Sequence, residues 1–321
     1  MSPIRTSTSS TGRSRSDGSN VARVSILLTC YNHLRHLPEA VAGIDAQTFR
    51  DFEIIAIDDG STDGTREWLA SCPTSMVRIF NEDNLGTYAS LNRALNQATG
   101  EYVAILNDDD VWEPAKLERQ VALLDSEPTI GIVHTGGDFI DDAGAVVHGT
   151  PLGFAYPRFE TGDILAGLLY QNAFITSAVL ARRSALDKFN EAYFGTGDWE
   201  MWLRICETWR AGFVDEPLTH YRIHAGSASR NMSRIYADDQ RLREWIATRE
   251  GAYRTRTSDW QTAFRDPAAL NRAMAHNFAA LGTVLKLNGD RKGARKALAE
   301  SIRRMPGRAK SYARWLSTFL P

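Results

Sequence analysis

Short apolar runs punctuate the first 140 residues, and each is followed by a stretch with helical spacing. Residues 24–29, 52–58, 76–80, 102–106 and 130–134 read as buried strands, because their apolar positions run on without alternating. Between them, 38–46, 65–71, 89–98 and 114–125 read as helices, with Pro38 and Pro114 where a first turn tolerates proline. This alternation predicts a parallel sheet covered by helices on both faces. Ligands bind such sheets beyond the carboxyl ends of the strands, so the residues just after each strand carry the candidate chemistry. Later the rhythm changes. Residues 138–147, around Asp142-Ala-Gly144, predict a hairpin; 177–181 reads as a strand, and 198–208 as a helix burying Met201, Leu203 and Ile205. From residue 236 onward the pattern is helical throughout.

Composition narrows the class. The chain has 321 residues, 43% hydrophobic and 24% charged, with ordinary glycine and proline usage, which excludes a disordered chain or a collagen-like repeat. Residues 1–23 are different: rich in Ser, Thr, Gly and Arg with little apolar mass, they read as a disordered arm. No apolar run follows those arginines and no stretch of about 20 apolar residues exists, so a signal peptide or a membrane span is not expected. Cys30, Cys72 and Cys206 form no CxxC pair, which fits a reduced, cytoplasmic protein without a zinc or disulfide framework.

Charge is informative by region. The net charge of −2 implies no bulk affinity for nucleic acid. Residues 24–235 carry 16 basic against 30 acidic side chains, whereas 236–321 carry 17 against 8. Within that basic segment, 275–306 has the spacing of a single tetratricopeptide-like helix pair. Residues 309–320 mix Lys310 and Arg314 with Tyr312, Trp315, Leu316, Phe319 and Leu320. Two readings stay open for this amphipathic end: a helix docked by its apolar face, or peripheral contact with anionic lipid at the inner face of the cytoplasmic membrane.

The candidate chemistry sits at two strand ends. One reads Asp58-Asp-Gly-Ser-Thr-Asp63, the other Asn107-Asp-Asp-Asp110. Three consecutive carboxylates repel one another unless a cation or buried donors compensate, and hard oxygen ligands suit Mg²⁺ or Mn²⁺. The alternative is a solvated turn with Asp110 capping the next helix. Two acidic strand ends at one sheet edge favour the cation.

With these stand Thr29-Cys-Tyr-Asn32, Asn84-Leu-Gly86, Asn92, Gly197-Asp-Trp-Glu-Met-Trp-Leu-Arg204 and Tyr221-Arg-Ile-His224, all in order. Together they resemble the family 2 inverting glycosyltransferases of GT-A fold, over roughly residues 24–229. The resemblance implies an α/β, Rossmann-like and mostly parallel sheet flanked by helices over 24–235, with a C-terminal helical extension over 236–321. It implies metal-dependent transfer of a sugar from a nucleotide donor, UDP-linked by preference, to a glycan or lipid-linked acceptor in polysaccharide or cell-surface glycan synthesis. Thr29, Tyr31, Asp59, Asn84, Asn92 and Asp108 would hold the donor nucleotide, with Asp59 accepting a ring N–H. Asp109 and His224 would hold Mn²⁺ or Mg²⁺, and Asp110 competes with Asp108 to assist them. Asp198 would be the base that takes the acceptor proton.

Other readings of the same residues remain. Tyr31 could pack on the second strand, Asn84 and Asn92 could be turn or cap residues, and His224 could be structural. Asp198 could be a helix N-cap, with Glu200 the fallback base. Trp199 and Trp202 read as core, although Trp199 could stack on a sugar. One departure stands out: Gly197 occupies the position where relatives carry Glu. That leaves open a catalytically inactive sugar-nucleotide-binding protein; a nucleotidyltransferase is the rival enzyme, but Leu28–Asn32 lacks a glycine-rich basic phosphate loop.

Overall fold

A computed structural model describes residues 21–227, 231–254, 264 and 266–320. Most of the segment read as a disordered arm lies outside the described residues. Its end does not behave as an arm, because the Arg23 guanidinium bonds Asp125 at 2.7 Å and lies over the Tyr102 ring.

The opening alternation forms as the apolar runs predict. β1 (Val24–Cys30), α1 (Leu37–Asp45), β2 (Phe52–Asp58), α2 (Thr65–Ser71), β3 (Val77–Phe80), α3 (Thr87–Leu95) and β4 (Tyr102–Asn107) follow in turn, and β1 to β4 pair in parallel in the order β3-β2-β1-β4. Then come β5 (Val111–Trp112), α4 (Lys116–Ser126), β6 (Ile130–Ile140) and β7 (Val146–Val147), the last two forming the expected hairpin. The chain continues through α5 (Leu165–Leu168), a 3-10 turn at Thr176–Ala178, β8 (Val179–Arg182), α6 (Gly197–Cys206) and β9 (Arg210–Arg222).

The second half of the sheet adds antiparallel strands to this parallel set. β8 runs antiparallel between β4 and β6, and β9 pairs in parallel with β6 while β5 lies antiparallel on its far side. Among the described residues the result is one mixed sheet of nine strands. β9 was hidden in the sequence because Asp215-Glu-Pro217 breaks its apolar pattern. Its register with β6 slips between Thr135 and Gly136, and Pro217 sits at that irregularity, where a proline is tolerated.

Alternate residues of the buried strands feed two cores. Leu27, Ile55, Ile57, Val103 and Ile105 face one side with Leu91, Met201 and Trp202. Ile26, Leu28, Ile54, Ala104 and Leu106 face the other with Leu37, Ile44, Leu117 and Leu124.

The C-terminal part is helical: α7 (Met232–Thr248), α8 (Glu250–Arg254), α9 (Pro267–Leu287), α10 (Arg291–Arg304) and α11 (Ala309–Ser317). Leu242 and Ile246 of α7, Tyr253 of α8, and Leu270 and Met274 of α9 join the first core, so these helices pack directly on the sheet domain. α9 and α10 form the expected hairpin. Gly289 turns it at φ 89°, and Asp290 caps α10 by accepting the Gly293 amide at 2.8 Å.

Candidate functional site

The loops after β1, β2 and β4 converge. Asn32 is the one non-glycine residue with positive φ among those described, at 55°, and its side chain accepts the Thr62 amide at 2.8 Å. Its own amide donates to the Ser61 hydroxyl at 2.9 Å, tying the two loops together. Gly60 has φ 75° and no room for a side chain, since a Cβ would lie 2.7 Å from the Asp83 carbonyl carbon. That close approach places Asp59 beneath the turn at Asn84–Gly86. The buried Asp59 carboxylate accepts from the Asn81 amide group at 2.7 Å and from the backbone of Leu85 and Gly86 at 2.9 Å each. One of its oxygens takes only the Gly86 bond. Asn84 is exposed in the turn.

The three carboxylates after β4 have separate fates. Asp108 is 3% exposed; it accepts the Tyr31 amide at 2.9 Å and contacts His33 Nδ1 at 2.8 Å. Burial pushes Asp108 upward despite His33 beside it. Burial opposes charge on His33 too, but Asp108, Asp109 and Asp63 outweigh it and lift the imidazole to about 9. Asp109 is partly open and contacts His224 Nε2 at 3.0 Å. Asp110 is fully buried, bonded to the Ser177 hydroxyl and to the Arg222 amide at 2.9 Å. Burial and the neighbouring Asp109 drive Asp110 well above the carboxylate range. Asp110 thus joins β9 to the 3-10 turn and does not stand among the clustered ligand atoms of His33, Asp109 and His224.

His33 stands there instead. Ligand atoms of His33, Asp109 and His224 lie within 4.8 Å of one another, and a second group, His36, Asp142 and His224, shares the same imidazole. The His33 and His224 rings meet edge to face at 4.8 Å. An oxygen and two imidazole nitrogens are a suitable donor set for Mn²⁺. In the second group Asp142 already pairs with Arg35 and His36, so a cation fits there less well. Tyr31, Asn32, His33, Arg35, His36, Asp63, Asp142, His224 and Gly226 line an open cavity of about 460 Å³. Tyr31 is 41% exposed there, not packed on β2. Thr29 stays at the end of β1, its hydroxyl on Asn107 at 3.1 Å.

Asn92 lies elsewhere. Its amide brackets Phe189, donating to the carbonyl at 2.9 Å and accepting the N–H at 2.8 Å, and it also reaches Glu191 at 2.8 Å. It anchors the 189–191 loop to α3, a role that spacing alone does not disclose.

Asp198 is the second residue of α6, after Thr196 and Gly197, so it is not the N-cap. Its carboxylate accepts from Thr176 at 2.7 Å, the Trp199 amide at 2.6 Å, and Asn172 and Tyr88 at 3.4 Å each. Burial holds its pKa above the ordinary value in spite of these donors. Glu200 instead clasps Arg204 through bonds of 2.8 and 3.0 Å. Trp199 is buried with its indole N–H on the Leu168 carbonyl, and Trp202 is fully enclosed.

The sequence profile of "Glycosyl transferase family 2" matches residues 25–189. An uncharacterized glycosyltransferase of Nostoc sp. is 31% identical over 233 residues, covering 68% of this chain and 69% of that protein. The chain spans 36% of the length of a Rickettsia felis glycosyltransferase that it matches at 29% identity. Among solved structures, S. aureus TarS (residues 1–349) in complex with UDP-GlcNAc superposes with a TM-score of 0.58 at 18% identity, over 91% of each chain. The Pyrobaculum calidifontis mannosyltransferase PcManGT, in complex with GDP-Man and Mn²⁺, gives 0.55 at 21% identity, over 93% of this chain and 79% of the other. The strand-end carboxylates, the mixed sheet and the extended sequence match agree: this chain is a glycosyltransferase of family 2, with the GT-A fold.

Proposed function

We propose that the protein transfers a sugar, with inversion, from a UDP-linked donor to a glycan or lipid-linked acceptor. The observation that carries this reading is the meeting of Asp109, His224 and His33 at the edge of the cavity, where the β1 and β4 loops converge. Asp109, His224 and His33 would hold Mn²⁺ or Mg²⁺, which would supply Lewis acidity toward the leaving diphosphate. The exposed Tyr31 ring offers a face to the base. Asp59 has an oxygen with a single donor, which can accept a ring N–H, and Thr29 and Asp108 border the nucleotide. Asn84, exposed in its turn, would contact the nucleotide as well.

Asp198 is the base. Its four donors fix the carboxylate, while burial raises its proton affinity above that of a solvated aspartate, which suits a group that takes a hydroxyl proton. With Glu200 engaged by Arg204, no rival carboxylate on α6 serves. The nucleotide-sugars bound by proteins of the same fold, UDP-GlcNAc in TarS and GDP-Man in PcManGT, support a nucleotide-sugar donor here. We place the enzyme in the cytoplasm. α11 would bring it to anionic lipid at the membrane face and so to a lipid-linked acceptor.

Calorimetry of UDP and GDP binding, in Mn²⁺ or in EDTA, tests the reading. Wild type binds at least one of the two more tightly in Mn²⁺, by about tenfold or more, and Asp109→Ala abolishes that difference. Equal wild-type affinities in both buffers would overturn the metal-dependent reading.

A further inference from the structure

Gly197 opens α6 just before Asp198, and backbone conformation does not explain a glycine there. Its φ is not positive, and glycine early in a helix costs about 1 kcal/mol relative to alanine. Space does explain it. A Cβ at this position would lie 2.7 Å from Cε2 and 2.8 Å from Cδ2 of Tyr88, so the tyrosine ring fills the volume a side chain here would need.

That ring is held firmly. Tyr88 is 5% exposed and stacks on Phe189, with centroids 5.9 Å apart and planes 21° from parallel. Phe189 is bracketed by Asn92, one turn along α3 from Tyr88. At the far end of this chain of contacts the Tyr88 hydroxyl points to Asp198 Oδ1 at 3.4 Å. The other groups facing that carboxylate are Thr176, Asn172 and the Trp199 amide. The neighbouring charge, Asp238 on α7, is bonded to the Phe194 and Gly195 amides.

We propose that Tyr88 is a positioning residue for Asp198, admitted by the absence of a side chain at Gly197 and held by Asn92 through Phe189. This rests on Asp198 being the base. The hydroxyl holds the carboxylate in the orientation that receives the acceptor proton, and the ring occupies the space that a side chain at 197 would need.

Two sets of variants test it. Tyr88→Phe keeps the ring and removes the hydroxyl. Its melting temperature should stay at the wild-type value. Nucleoside diphosphate release from UDP-glucose, UDP-GlcNAc and GDP-mannose with Mn²⁺ should show a lower kcat at unchanged donor KM. The acid limb of the pH profile should move upward by about 0.5 or more, because the ionised carboxylate loses a donor. An unchanged kcat and acid limb in Tyr88→Phe, with Asp198→Asn slow, would overturn the role of Tyr88 alone. Asp198→Asn at wild-type rate would instead remove the base itself. The steric half needs no substrate: Gly197→Ala should lower the melting temperature in wild type but not on a Tyr88→Ala background. Equal losses on both backgrounds would show that the ring does not define that space.

Discussion

Three consecutive aspartates leave β4 in three directions, and their spacing alone could not assign them. Asp109 and His224 meet 3.0 Å apart. Asp110 turns inward to Ser177 and the Arg222 amide, while His33 comes to the cluster through the loop that the left-handed Asn32 creates. A positive φ at a non-glycine residue leaves no mark in hydrophobic periodicity, so His33 was not legible. Asp110→Ala should therefore act on stability. Leaving the Ser177 hydroxyl and the Arg222 N–H without their acceptor should cost about 1–3 kcal/mol in chemical denaturation. The advantage of Mn²⁺ over EDTA in UDP binding should survive. Loss of that advantage at unchanged stability would return Asp110 to the metal.

At the scale of elements, the strands and helices up to α4 were legible because continuous apolar runs and helical spacing alternate cleanly there. β9 was not, with Pro217 and two acids inside it, and β8 reads the same whichever way it runs. α11 packs on one side and leaves an apolar end exposed. Ser311 is buried against Ser301, and Lys286 bonds Ser317, so one side docks. Leu316, Phe319 and Leu320 are more than half exposed beside Lys310 and Arg314. Removing residues 309–321 should abolish sedimentation with phosphatidylglycerol vesicles and leave UDP binding intact. Leu316→Ser with Leu320→Ser, which keeps the docked side, should do the same. If either variant pellets like wild type while folded, α11 is not a membrane contact.

Across the whole molecule, no helix among the described residues is long and apolar enough to cross a membrane. The mixed sheet brings its chemistry together from both halves of the sequence: β1 and β4 supply His33 and Asp109, the end of β9 leads to His224, and α6 supplies Asp198. The order of motifs made the family and the fold readable. The antiparallel β8, the packing of α7 to α9 on the sheet and the Tyr88–Gly197 contact depend on long-range contacts that local pattern does not encode. The proposed transfer turns on Asp198, and the turnover of Asp198→Asn is the decisive measurement. The substitution keeps the size of the side chain and much of its hydrogen bonding, but the amide cannot take a proton. Transfer should fall by roughly 10²–10⁴-fold, with Mn²⁺-dependent UDP affinity and melting temperature at wild-type values. Retention of more than about a tenth of wild-type turnover, outside the range of general-base catalysis, would contradict it.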